Sequence, residues 1–402
     1  MATSSAPAGT GGVNSALQAA PRWRREPYVV FFPLGIAAAW AGIGHWLAYA
    51  LAQTAHYGAI FHSMAQVEGF LLCFAVGFLF TMIPRRTGSA PPAAWEMVVC
   101  LAAPVTTVVA AWYQWWMLSQ VGWLAVCVVL VAFVLRRFLS ASSQRRPPNS
   151  FVWIPMALAM GLGGALLTGA YGAFGESYRW LHDVGRGLLL QGVFISLILG
   201  VGGLALPMMT RGVAPPDTTA NTADRLARFG HLLAAAVLVA SFFVQATSSV
   251  MVALWMRAGV VTVVLLVGAE LWRPPLPAGW NRRSIWVSGW LLPIGFVIAA
   301  LFPANFQAGL HVSFIGGFAL LTLAVSTHVV LGHCGYSSML VGRPWQVATI
   351  AILTLAAMVA RAMMEFDYSH RLHWMACAAV FFMAATGVWV VFLLPKMLSP
   401  VE

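Results

Sequence analysis

Ten histidines are spread through a chain in which only 8% of residues are charged. Imidazole binds haem iron or copper while remaining neutral, so it is the cheapest metal ligand to carry into an apolar setting. His62 and His311 stand out. Two neutral imidazoles facing each other across a gap are suitable axial ligands for a b-type haem, which needs no covalent attachment. On a helix, the stripe below His62 continues through Gln66, Gly69, Cys73 and Gly77, all small or polar. Such a groove admits either a flat cofactor or a closely packed neighbouring helix. His311 is followed on its own face by Phe314, Ile315 and Phe318, with Gly309, Gly316 and Gly317 beside it.

His182 precedes Arg186 by one helical turn. The Arg186 guanidinium suits a haem propionate, and equally Asp183 or a lipid phosphate. His182 is a candidate ligand for a second metal such as copper, although no set of three ligands accompanies it. His328 and His333 follow His311 by roughly 25 Å of helix or more, so they belong to a separate site, a metal site at His333 or a proton relay. Glu68 lies on a different helix face from His62 and is free to pair with Arg257 or to serve a proton path. Arg361 and Glu365 are four residues apart and pair on one face. The five cysteines include no CxxC and no CxxCH and read as packing residues. There is no P-loop, HExxH or GxSxG pattern.

The elements that position these groups follow from composition. Hydrophobic residues are 60% of the chain and mean hydropathy is +0.82. Apolar runs of about 20 residues, enough to cross the hydrocarbon core, recur throughout. They place spans near 28–51, 59–83, 93–112, 118–138, 151–171, 185–208, 226–246, 250–271, 285–303, 308–333, 345–364 and 372–395. The fold expected is all-α, a polytopic transmembrane bundle of twelve helices. Residues 27–402 form its single domain, and 1–26 a disordered cytoplasmic tail without the basic start and apolar core of a cleaved signal.

Most of the 22 basic residues fall on one side of such a bundle. They occupy the N-terminal segment (Arg22, Arg24, Arg25), the loops after even-numbered spans (Arg85 and Arg86 after the second, Arg211 after the sixth, Arg343 after the tenth), and the C-terminus at Lys396. Arg179, Arg186, Arg361 and Arg371 fall on the other side, and Arg257 inside the eighth span. This is the positive-inside pattern, with both termini cytoplasmic. The net charge of +11 is therefore an orientation signal rather than a nucleic-acid footprint, and membrane lipid is the expected surrounding partner. His62, His182 and His311 lie near the outer face, His328 and His333 near the inner one. The second, sixth and tenth spans share an outer histidine at near-equal intervals and an inner end rich in Pro, Thr and Gly, a pattern that three four-helix repeats would produce.

The stretch from His62 through Gln66, Glu68 and Gly69 to Pro84-Arg85-Arg86-Thr87-Gly88 resembles the second-span signature of the NnrS family. Pro27-Tyr28 to Gly35, Leu206-Pro207-Met208-Met209-Thr210-Arg211, His311 to Gly317, and Leu331-Gly332-His333-Cys334-Gly335 are similar to other parts of that family's pattern. The resemblance implies a twelve-span haem- and copper-containing protein of the bacterial cytoplasmic membrane, linked to denitrification and nitric-oxide stress. It matches His62, His311 and His333 to family histidines. The chain departs from the pattern at Met64, Ala65, Leu204 and His328, changes that bear on the copper site. Twelve spans with such histidines also resemble haem–copper oxidase catalytic subunits, but the seventh span has only His231 and no adjacent histidine pair.

The expected function is a membrane haem protein that binds or detoxifies nitric oxide or runs a related redox reaction, with its b-type haem in the periplasmic half and an electron donor the residues do not name. The alternatives are a proton- or ion-coupled transporter, or a non-catalytic sensor or assembly factor.

Overall fold

Without water to satisfy its backbone, an apolar run crosses hydrocarbon as a helix. The computed structural model, which describes residues 20–138, 147–215, 218, 221–277 and 279–399, contains twelve helices long and apolar enough to do so. They are α1 (Tyr28–Ala50), α2 (Ala59–Thr87), α3 (Ala94–Trp112), α4 (Trp116–Phe138), α5 (Asn149–Ala170) and α6 (Arg179–Arg211). Then come α7 (Thr222–Thr247), α8 (Val250–Gly268), α9 (Trp280–Leu301), α10 (Pro303–His333), α11 (Trp345–Met363) and α12 (Tyr368–Leu398). Each corresponds to one expected span. No strand occurs among the described residues. The main shift is at α6, which begins several residues earlier than its apolar run and so takes His182 into the helix.

Successive helices pack against one another, and α1 closes the ring on α12. Three helices are set inside it. The most apolar stretch of α2 is 83% buried and those of α6 and α10 are each 72% buried, against 22–56% for the other nine. These three converge with Phe32 of α1 on an apolar cavity of about 120 Å³ lined by residues such as Phe78, Val201 and Thr322. Each also carries a π-helical segment in its half away from the basic loops: Ala65–Leu71, Leu188–Gly192 and Val312–Ala319. At the basic end each is terminated by a left-handed glycine, Gly88, Gly212 or Gly335, with φ of 65°, 74° and 82°. A residue with a Cβ is strained in that conformation, and glycine caps the helix without cost. The recurring span ends noted above are these caps, and with the π segments they support the four-helix repeat.

Helices in lipid adhere through close contact of small residues. A Cβ on Gly42 of α1 would lie 2.7 Å from Gln66 Nε2 and 2.8 Å from the Ala65 Cβ of α2, so the backbones approach closely at this point. The two ends of the described chain meet. Arg22, in a short helical turn at Arg22–Arg25, donates to the carbonyls of Met397 (2.6 Å) and Ser399 (2.8 Å). The segment expected as a disordered tail therefore includes an anchored turn; its residues 1–19 lie outside the described ones.

Candidate functional site

His62 sits just above the first π segment, where α2 runs against α1. Its Nδ1 is 3.1 Å from the carbonyl oxygen of Gly42. A carbonyl only accepts, so Nδ1 carries the proton and Nε2 keeps its lone pair. Trp46 packs on the ring at 5.6 Å. His311, immediately before the third π segment, repeats the arrangement. Its Nδ1 donates to the Gln307 carbonyl one turn earlier at 2.7 Å, and Phe314 meets its ring edge at 5.9 Å. Both imidazoles are half-buried. They lie within electrostatic range of each other, and both are in range of Arg361 on α11. The helices that bear them touch nearer the basic end, where α2 meets α10.

The stripe of small residues below His62 is occupied. A Cβ on Gly69 would meet Ala38 and Val108, one on Gly77 would meet Phe31 and Phe32, and Gln66 donates to the Ala39 carbonyl at 3.0 Å. Of the two uses expected for that groove, close helix packing is the one realised. The glycines below His311 are spent likewise on Leu291, Leu292 and Met358. What the pair offers a metal is two lone pairs with their tautomers set by the backbone, and one nearby cation.

Arg361 pairs with Glu365 at 2.8 Å, as the spacing of four implied. Its closeness to both histidines was missed. The signal available was its position at the histidine-bearing end of its span.

Arg186 and His182 stand elsewhere. They line a cavity of about 620 Å³ between α2, α4, α5 and α6, together with Glu68, Gln120, Trp115 and Trp116. His182 Nδ1 is 3.5 Å from its neighbour Asp183. Among the described residues no contact ties Arg186 to the His62–His311 pair. Glu68 does not meet Arg257 either. That guanidinium is fully buried, donates to Gln191 Oε1 at 2.9 Å and to Ser241 Oγ at 3.0 Å, and lies 4.0 Å from the centre of the Phe242 ring.

His333 belongs to a cluster at the basic end. Its Nε2 accepts from Arg85 at 2.9 Å, its Nδ1 is 3.3 Å from Glu26 Oε2, and Tyr28 packs on the ring at 5.5 Å. Arg85 is also ion-paired with Glu26. Burial alone pushes the Glu26 carboxyl up, but the His333 hydrogen bond and the Arg85 charge outweigh it and hold the group below its ordinary range. Nε2 of His333 is thus taken by Arg85, while its buried Nδ1 lies at ion-pair distance from Glu26 without a hydrogen-bond partner among the described residues. The buried Nδ1 of His328 has no partner among the described residues. Nor do any three His, Cys, Asp or Glu side chains gather there as a nest for a metal ion.

No curated protein matches the chain. The family model described as NnrS protein matches residues 22–400, which is nearly the whole length and every spanning helix. This chain belongs to the NnrS family.

Proposed function

We propose that this protein is a haem protein of the bacterial cytoplasmic membrane that binds or turns over nitric oxide or a related small redox ligand. The observation that carries the reading is the matched tautomer of His62 and His311. Each ring spends its Nδ1 hydrogen on a backbone carbonyl and keeps Nε2 for a metal, the orientation that backbone acceptors impose on metal-bound histidines. The two rings stand on separate helices, α2 and α10, within electrostatic range of each other, as a bis-histidine site would need. A b-type haem held there supplies a one-electron couple and an iron centre for a small gas.

The remaining groups orient and balance that site. Gly42 and Gln307 fix the ring planes. Arg361 supplies the positive charge that carboxylate substituents of a porphyrin need, the role expected of Arg186, and Glu365 holds the guanidinium in place. Trp46 and Phe314 pack against the two rings. Under the positive-inside rule the basic end is cytoplasmic, which puts the histidine pair in the periplasmic half. The test is purification of the full chain with iron and copper determination. The reading requires haem iron and a low-spin Soret spectrum. An iron-free, colourless protein contradicts it and favours a transporter.

A further inference from the structure

The apolar cavity enclosed by α2, α6, α10 and Phe32 of α1 contains neither histidine of the candidate site. Its wall on α2 runs from Leu71 to Leu79, and on α10 from Phe318 to Ser326, in each case about 12 Å of helix. A volume of about 120 Å³ along that length makes a narrow slot.

The slot is kept open by small residues that no neighbouring helix requires. Voids forfeit dispersion contacts, and helices in lipid gain by closing on one another. Gly202 of α6 lines the slot. A Cβ there would meet Leu206 at 3.2 Å and Ile198 at 4.0 Å, both on its own helix. The glycines below His62 and His311 are pressed against other helices; Gly202 is not. Ala75 of α2 and Ala205 of α6 line the same slot.

Its walls narrow the class of occupant. Thr322 and Ser326 carry the only side-chain hydroxyls in an otherwise apolar lining. Ser326 is already spent, donating to the Leu323 carbonyl at 3.0 Å and accepting from the Trp389 indole at 3.0 Å. An ordered water needs two to four polar partners, which one hydroxyl does not supply, and an ion needs more. An apolar cavity of about 150 Å³ stays dry and takes benzene or xenon. This one is smaller and narrow, so it suits a nonpolar molecule of a few atoms. The three helices that wall it are the most buried of the twelve, which sets it apart from the lipid chains around the bundle.

The slot also adjoins the histidine end. Leu71 closes the first π segment and Phe318 lies in the third. The Phe318 ring is 5.7 Å from that of Phe314, which in turn meets His311.

We infer that this cavity is a binding site for a small nonpolar gas, with Phe314 and Phe318 between it and His311. That the gas is the one handled at the histidines rests on the proposed function; occupancy of the slot by such a gas does not.

The test uses two probes on the full-length protein, xenon and dioxygen. Crystals pressurised with xenon should show an anomalous peak between Phe78, Val201 and Thr322. In detergent under dissolved oxygen, which is paramagnetic, the Val201 and Val325 methyls should relax several-fold faster than the methyls of Val126, which is fully buried outside the slot. Gly202→Leu and, from α2, Ala75→Leu should each remove the xenon peak and the oxygen effect, while the variants unfold at or above the parent's temperature because they fill a void. Neither probe needs haem, so a positive result in a colourless protein would support the site while the haem reading fell. No xenon peak in the slot, an ordered water or an acyl chain there, equal oxygen relaxation at Val201 and Val126, or a peak that survives in both variants would overturn the inference.

Discussion

The His62 ring and the Gly42 backbone form one unit: the imidazole donates from Nδ1 to the Gly42 carbonyl at 3.1 Å, and the absence of a side chain at Gly42 lets α1 come near enough to α2 to accept it. A ring on one helix is thereby held in a single tautomer by the backbone of another.

This coupling predicts the effect of a small change on α1. A methyl at Gly42 meets Gln66 at 2.7 Å and Ala65 at 2.8 Å, and only Gln66 has a flexible end that can move. Gly42→Ala should separate the helices and cost about 1–3 kcal/mol of stability. It should also release His62 from its carbonyl. Thermal unfolding together with haem content per protein checks both effects, and a variant as stable and as haem-loaded as the parent speaks against the coupling.

The two candidate arginines should behave differently. Arg361 is in electrostatic range of both histidines, whereas Arg186 lines another cavity. Removing a cation beside a redox centre favours its oxidised form. Arg361→Gln should therefore move the haem midpoint potential to more negative values, and Arg186→Gln should leave it in place. Potentiometric titration of the Soret band reads both. A shift in the Arg186 variant alone would return the propionate role to that residue.

At the basic end, Glu26 makes a prediction about pH. Its carboxyl is held below the ordinary value of 4.5, so the folded protein favours the charged form more than the unfolded chain does. The stability this contributes is present above about pH 4.5 and is lost as pH falls through the lowered folded value. Glu26→Gln should destabilise the protein near neutral pH by about 1 kcal/mol or less, because the Arg85 partner is 42% exposed and screened. The difference from the parent should vanish on acidification. Unfolding midpoints measured from pH 7 to pH 2 check the sign; a gap that widens toward acid contradicts it.

The twelve helices were legible because hydrocarbon thickness imposes one length and the basic loops confirm the count. The Arg361–Glu365 pair was legible because four residues is one helical turn. The His62 stripe was ambiguous because glycine serves a cofactor and a helix neighbour equally, and only the register of α1 shows that Ala38 and Phe31 fill it. The Gly42 carbonyl was invisible, since a backbone acceptor has no signature in side-chain type. Of the two alternatives open to Glu68, pairing with Arg257 is not realised. A carboxylate was the obvious choice, but Gln191, Ser241 and the Phe242 face satisfy the guanidinium through hydrogen bonds and ring contact. The π segments Ala65–Leu71 and Val312–Ala319 also shift the faces that an unbroken helical wheel assigns.

The measurement closest to the central claim is near-infrared magnetic circular dichroism of the oxidised protein, which reports the identity of axial ligands. The account predicts a bis-histidine low-spin signal in the parent, lost in both His62→Ala and His311→Ala and retained in His182→Ala and His333→Ala. A signal that survives in both His62→Ala and His311→Ala would contradict it.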